Sequence, residues 1–86
     1  MACARVLGLG VRTFALDAPN LDETRFDRAP ADGFASHRLI AAVDGVIVEN
    51  LCGLEDLGVG PYLLSVLPLR LTDADGAPCR AVALQL

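Results

Sequence analysis

The sequence predicts an α/β fold that runs strand-loop-helix-strand-strand-strand and ends in a β-hairpin. A helical segment followed by the apolar run 46–48 indicates a β-α-β crossover. The turn signal Asp75-Gly76 lies between two apolar strand candidates and predicts the C-terminal hairpin. Eighty-six residues allow one domain, which we place at 1–86.

The first half of the chain contains the crossover. Val11–Leu16 is rich in strand-forming residues and stops at a turn cluster, and the polar stretch Asp17–Ala31 is a predicted loop. Asp32 is a candidate N-cap for a helix from Gly33 to about Val43. This helix places His37 on an apolar face, since Phe34, His37 and Ala41 recur at helical spacing, with Ile40 adjacent.

The second half is mainly strand. Val46–Glu49 is a short strand, and Leu54–Leu57 is one helical turn between glycines. Tyr62–Leu71 is apolar on both faces, as in a covered central strand, and Pro68 within it predicts a bulge, an edge or a bend. Cys79–Leu86 is the return strand. One helix cannot cover so much apolar strand surface, so the predicted sheet is incomplete.

Composition excludes several function classes. The net charge is −4 and the seven basic residues, all arginine, are scattered, so a nucleic-acid surface is not expected. No apolar stretch is long enough to span a bilayer and the N-terminus does not read as a signal peptide, so no membrane partner is predicted. Three cysteines without a C-x-x-C motif indicate small buried thiols in a reducing compartment. The sequence predicts a soluble cytoplasmic protein.

The balance of apolar to charged residues predicts association. Apolar residues make up 53% of the chain and charged residues 21%, a high apolar share for so small a domain. Apolar surface that the domain cannot bury usually faces a partner. We therefore expect a homo-oligomer, and a small non-catalytic oligomeric interaction module is one reading of the whole chain.

His37 and Glu49 are the candidate metal ligands. His37 is the only histidine, and Glu49 lies at the C-terminal end of a strand, where ligands gather in open α/β sheets. Neutral imidazole and carboxylate both suit zinc or manganese. The alternative is that His37 is half buried against a backbone carbonyl and that Glu49 is a solvated strand end.

Three other side chains are further candidates for a functional role. Asp17 and Asp22 flank the turn Ala-Pro-Asn-Leu, where such residues more often bond their own backbone than shape a substrate loop. Cys52 would need His37 as its base to act as a nucleophile, and no further feature of the sequence points to that pair. No catalytic residue is assigned from the sequence.

Six segments follow one another along the chain in a recognisable order: Gly10–Arg12, Leu16–Asp22, His37–Ile40, Val46–Leu51, Leu67–Leu71 and Asp75–Ala83. Together they resemble the C-terminal part of the cyclase family of metal-dependent hydrolases, which includes bacterial kynurenine formamidase and isatin hydrolase. The resemblance covers nearly the whole chain.

The resemblance implies a partial swivelling β/β/α domain, hydrolysis of a small-molecule amide or formamide, and one or two divalent metals, zinc or manganese. By motif position His37 and Glu49 match family ligands, and Asn50 would orient the carboxylate. The family's H-x-G-T-H-x-D motif, with its other ligands, does not occur in this sequence. We therefore expect the back half of an enzyme, truncated, with weak or absent metal binding and little activity by itself.

Overall fold

The computed structural model describes residues 2–23 and 27–86, which form two compact units, residues 1–54 and 55–86. The predicted α/β class is confirmed, since the chain combines helices with small sheets. The swivelling cyclase arrangement and the single-domain organisation stay predictions. The elements are α1 (Ala2–Gly8), β1 (Thr13–Ala15), α2 (Ala35–Ala41), β2 (Val46–Val48), β3 (Tyr62–Pro68) and β4 (Cys79–Gln85), with one 3-10 turn at Leu54–Asp56.

The first unit contains the predicted crossover. β1 and β2 pair in parallel, with Phe14 opposite Ile47, and α2 lies between them in the chain. Two further backbone bonds continue the pairing beyond the strands, from the Leu16 N–H to the Val48 carbonyl (2.9 Å) and from the Leu51 N–H to the Leu16 carbonyl (3.1 Å). Both predicted strands are thus confirmed, although each is only three residues long.

The core of this unit is small. α2 contacts both α1 and β2, and each of these three elements contributes one buried apolar side chain: Cys3, Ile40 and Val48. Ile40 is only 1% exposed, whereas Phe34 is 40% exposed and Ala41 is also exposed. Of the apolar face predicted from Phe34, Ala41 and the adjacent Ile40, α2 buries only Ile40, so the prediction is wrong for Phe34 and Ala41.

The helices differ from the prediction in two ways. α1 was not predicted at all. α2 begins at Ala35 and ends at Ala41, inside the predicted limits, and its N-cap position is held by Phe34 rather than Asp32. Phe34 has a left-handed backbone (φ 60°) and makes no side-chain cap. Asp32 contributes its backbone carbonyl instead, which accepts a hydrogen bond from the Arg38 guanidinium (3.0 Å).

The second unit contains the predicted C-terminal hairpin. β3 and β4 pair antiparallel, with Leu63 opposite Leu84 and Pro68 opposite Cys79. Pro68 is the last residue of β3, so the strand ends there and not at Leu71. The expected covered central strand is wrong, because among the described residues β3 pairs with β4 alone and Leu67 is 67% exposed.

The cysteines, the short helical turn and the loop after β1 can also be compared with their predictions. All three cysteines are free, but only Cys3 is buried, so the prediction of buried thiols is wrong for Cys52 and Cys79. The predicted helical turn near residue 54 is confirmed. Part of the predicted loop 17–31, residues 24–26, lies outside the described residues. In the described part of the chain, no helix has the length and apolar character needed to cross a membrane.

Candidate functional site

Three segments of the first unit bring together one histidine and two carboxylates. His37 lies in the first turn of α2, and Glu49 follows directly after β2. Asp22 comes from the loop that follows β1. The imidazole lies between the two acidic side chains, with Asp22 on its Nδ1 side and Glu49 on its Nε2 side. The crossover connection explains this meeting, because it returns the chain so that the ends of β1 and β2 lie together.

The predicted pair, His37 and Glu49, is in direct proximity. Nε2 of His37 lies 3.4 Å from Oε1 of Glu49. This distance is longer than an ordinary N–H···O hydrogen bond of about 2.7–3.2 Å. It matches the separation of about 3.3–3.5 Å between a nitrogen and an oxygen that share one tetrahedral zinc ion, given bond lengths of about 2.0–2.2 Å. The donor set and its spacing therefore fit a shared divalent metal.

Asp22 is the site residue whose role the sequence reasoning missed. Its Oδ2 lies 2.7 Å from His37 Nδ1 and also accepts the His37 backbone N–H (2.9 Å), while Oδ1 accepts the Ser36 N–H (3.0 Å). The interpretation of Asp22 as a local turn former is wrong. Asn20 forms the local turn, because its Oδ1 accepts the Asp22 N–H (3.0 Å). The available signal was His37 itself, since a ligating histidine usually has a carboxylate or carbonyl on its other nitrogen.

The environment of Asp22 holds it in the ionised form. Its side chain is only 3% exposed. Burial by itself raises the pKa of a carboxyl group, but the hydrogen bonds from His37 and Ser36 outweigh it and lower the pKa of Asp22 from 3.8 to about 2. The carboxylate is therefore negatively charged at neutral pH and can only accept hydrogen bonds.

The loop after β1 also holds Glu49. The Leu21 backbone N–H donates to Glu49 Oε1 (3.0 Å), the same oxygen that faces His37. The Asn50 backbone N–H donates to the Ala18 carbonyl (3.0 Å), which fastens the loop to the end of β2. The hydrogen bond that orients the carboxylate thus comes from Leu21, whereas the side chain expected to do so, that of Asn50, belongs to an exposed residue with φ 57°.

The surroundings of the site are open. The side chains of His37 and Glu49 are 36% and 28% exposed. The Phe34 ring stands edge-on to the imidazole, with ring centroids 6.1 Å apart. Asp17 and Cys52, the other candidates, are both exposed. Within residues 2–23 and 27–86, no group of three or more His, Cys, Asp and Glu side chains is arranged to hold a metal ion.

Comparison with known proteins gives the family context. The chain is 38% identical over 78 residues to a kynurenine formamidase of Bordetella avium, which is 91% of this chain and 34% of that protein. The chain is homologous to part of the kynurenine formamidases. Cyclase-like protein 3 of Arabidopsis thaliana is 40% identical over 60 residues, 70% of this chain and 21% of that protein. The resemblance to the cyclase family is thereby confirmed.

The similarity covers one part of each relative. The chain spans about a third of the length of the curated relatives it matches, and the same holds for a kynurenine formamidase of Bacillus cereus, 39% identical over 85% of this chain and 32% of its own length. No family model matches the chain. No solved structure matches it either.

Proposed function

We propose that this chain carries part of the active site of a metal-dependent hydrolase of the arylformamidase type, with His37 and Glu49 as ligands of a divalent zinc or manganese ion. The observation that carries the proposal is the 3.4 Å separation of His37 Nε2 and Glu49 Oε1. The similarity to proteins named kynurenine formamidase supports the reaction class.

The charges around the pair favour a cation. Two carboxylates, Asp22 and Glu49, contact one imidazole, and no arginine forms an ion pair with either of them among the described residues. An imidazole nitrogen with a carboxylate oxygen is a donor pair that zinc and manganese accept. The negative charge that faces His37 Nε2 therefore attracts a divalent ion rather than an anion.

Two protein ligands are fewer than catalytic zinc normally has, since such sites use three protein ligands and keep one position open. In our proposal the remaining ligands come from residues outside the 86 of this sequence, and the chain alone binds metal weakly and has little activity. A bound divalent ion supplies Lewis acidity and lowers the pKa of water toward about 7. His37 and Glu49 hold the ion, and the Leu21 N–H fixes the Glu49 oxygen.

The proposed substrate class is a small amide or formamide. It rests on the names of the relatives, since kynurenine formamidase names a formamide as its substrate. The exposure of both ligands is consistent with a small molecule that reaches them from solvent. No nucleic-acid or membrane partner is part of the proposal, and the cytoplasm is the proposed compartment.

Calorimetric titration with manganese tests the metal proposal. We expect weak Mn²⁺ uptake by the wild-type chain near pH 7.5, and loss of that uptake in His37→Ala and in Glu49→Gln. Manganese is the first probe because thiolates prefer softer metals. Zinc is titrated second, in a background in which exposed Cys52 and Cys79 are replaced by serine.

Glu55, an exposed acidic residue of the second unit, provides the matched control. Glu55→Gln removes an equal charge in the second unit and is expected to leave uptake unchanged. Identical uptake by the wild type and by a His37→Ala/Glu49→Gln double variant would rule out the proposed ligand pair.

A second candidate function is a non-catalytic, homo-oligomeric interaction module. The hairpin favours it, since one face presents exposed apolar residues on both strands, among them Leu63 (59% exposed), Leu84 (61%) and Val82 (54%). The two functions are compatible, because an incomplete site can coexist with self-association through the hairpin.

A further inference from the structure

The Asp22 carboxylate contacts both the backbone and the ring of His37, and neither contact belongs to the turn in which Asp22 lies. Its Oδ2 accepts the His37 backbone N–H (2.9 Å) and lies 2.7 Å from the ring nitrogen Nδ1 of the same residue, fifteen positions further along the chain. Its carboxylate is nearly inaccessible to solvent, with 3% of the side chain exposed. A buried carboxylate fixed on one imidazole nitrogen determines what the other nitrogen can do.

The chemistry of the ring follows from the charge on Asp22. A carboxylate has no proton to donate, so the 2.7 Å contact requires that His37 Nδ1 carries the hydrogen. A neutral imidazole has one N–H, and Nε2 is then left with its lone pair. We propose that Asp22 is a positioning residue that fixes His37 in the Nδ1–H tautomer and directs the Nε2 lone pair at Glu49.

The opposing atoms support this assignment. The 3.4 Å separation of His37 Nε2 and Glu49 Oε1 exceeds an ordinary N–H···O hydrogen bond of about 2.7–3.2 Å, so this contact does not require a hydrogen on Nε2. That the Nε2 lone pair serves a metal ion rests on the proposed function. The hydrogen on Nδ1 does not, because it follows from the contact between Asp22 and His37 alone.

Backbone hydrogen bonds fix both Asp22 and its neighbour Leu21. Its backbone N–H donates to Asn20 Oδ1, and the neighbouring Leu21 N–H donates to Glu49 Oε1. The three consecutive residues 20–22 therefore orient both members of the pair. Such a carboxylate behind a ligating imidazole fixes the ring orientation and raises the basicity of the ligand.

A purely structural role is the alternative. Asp22 accepts the N–H groups of Ser36 and His37, and thereby caps the first turn of α2, whose own N-cap position offers no side-chain bond. Asp22→Asn distinguishes the two roles, because the amide oxygen can keep the Ser36 N–H while the NH₂ group turns toward Nδ1. One of the two capping bonds survives, whereas the His37 backbone N–H loses its acceptor and the hydrogen on the His37 ring moves to Nε2.

The experiment reads the two ring nitrogens directly. Long-range ¹H–¹⁵N spectra of the uniformly labelled, metal-free chain near pH 7.5, with chelator present, report which nitrogen carries hydrogen. His37 is the only histidine, so its signals need no assignment. We expect the Nδ1–H form in the wild type and the Nε2–H form in Asp22→Asn, with exposed Asp17→Asn unchanged. Wild-type spectra that show Nε2–H, or hydrogen on both nitrogens, overturn the inference even if Asp22→Asn fails to fold.

A metal titration on the same samples separates this inference from the proposed function. We expect Asp22→Asn to weaken Mn²⁺ affinity about 10- to 100-fold, as loss of a carboxylate behind a ligating histidine typically does. If the wild type shows the Nδ1–H tautomer but takes up no metal, the proposed function fails and the role of Asp22 stands. If the tautomer is the same in the wild type and in a folded Asp22→Asn variant, Asp22 is a helix cap and the inference is wrong.

Discussion

At the scale of single residues, the sequence predicted the pair His37 and Glu49, but it did not predict that Asp22 holds the His37 ring. His37 and Glu49 were predicted from chemistry, motif and strand position, and the structure brings them within 3.4 Å. Asp22 was misread because its partners, Ser36 and His37, lie fourteen and fifteen residues away. Local sequence shows which residues can form a turn, but not which carboxylate folds back against a distant helix.

The ionisation of Asp22 should make the free energy of unfolding depend on pH in the acid range. Its pKa is lowered from 3.8 to about 2 in the folded chain, so the carboxylate contributes stability that is fully present above pH 4 to 5. That stability is lost as the pH falls from about 4 toward 2, because the folded protein must then take up a proton that the unfolded chain already holds. We expect the unfolding free energy to drop by about 2 kcal/mol from this group over that range.

Urea unfolding of wild type and Asp22→Asn at a series of pH values measures this loss. The variant is less stable at neutral pH and should lack the steep segment between pH 4 and pH 2. Asp17→Asn is the control, because Asp17 is exposed, and it should keep the wild-type profile. Parallel profiles for wild type and Asp22→Asn would contradict the assignment.

At the scale of elements, periodicity located the strands and one helix but not their ends. The β-branched run 46–48 correctly predicted β2, and the Asp44-Gly45 turn correctly predicted that α2 ends before it. The N-terminal boundary of α2 was wrong because the cap is not local: Phe34 occupies the N-cap position and the acceptor comes from Asp22. α1 was not predicted, because its first turn has no acidic residue to mark the start of a helix.

Gly45 is the position where the junction between α2 and β2 leaves no room for a side chain. A Cβ at this position would lie 2.5 Å from Ile40 Cγ2 and 2.8 Å from the backbone oxygen of Arg12. We expect Gly45→Ala to destabilise the first unit by about 1–3 kcal/mol, the usual cost of overpacking. Chemical denaturation followed by far-ultraviolet circular dichroism measures the change.

Gly8→Ala is the matched control for Gly45→Ala. A Cβ at Gly8 meets no atom within 4 Å, and the residue lies at the end of α1 in the same unit. Alanine in a helix is equal or better than glycine by up to about 1 kcal/mol. Equal loss of stability in both variants would show that the junction is not tightly packed.

At the scale of the whole molecule, the sequence indicated surplus apolar surface but not where it lies. β3 reads as a buried central strand because both of its faces are apolar, yet it forms a two-stranded hairpin with β4. Nothing in a strand's own sequence states how many neighbours cover it. Isolated two-stranded hairpins are marginal in water, so exposed leucines on this one favour association.

Self-association through the hairpin face is the prediction at this scale. Leu63 and Leu84 are cross-strand neighbours and both are largely exposed. We expect Leu63→Glu to shift the chain toward monomer in sedimentation velocity, with chelator present, since a charge there opposes burial. Leu9→Glu alters a leucine outside the hairpin that is even more exposed (83%) and should leave the distribution unchanged. A monomeric wild type would contradict the prediction.

The central claim is that His37 presents Nε2, together with Glu49, to a divalent ion, and ¹⁵N spectra of the single histidine during a Zn²⁺ titration test it most directly. The chain is used with Cys52 and Cys79 replaced by serine, because both thiols are exposed. We predict that the Nε2 resonance moves on zinc addition while Nδ1 keeps its hydrogen, and that Glu49→Gln weakens the response. Movement of Nδ1 instead, or a ring that does not respond to zinc, would contradict the account.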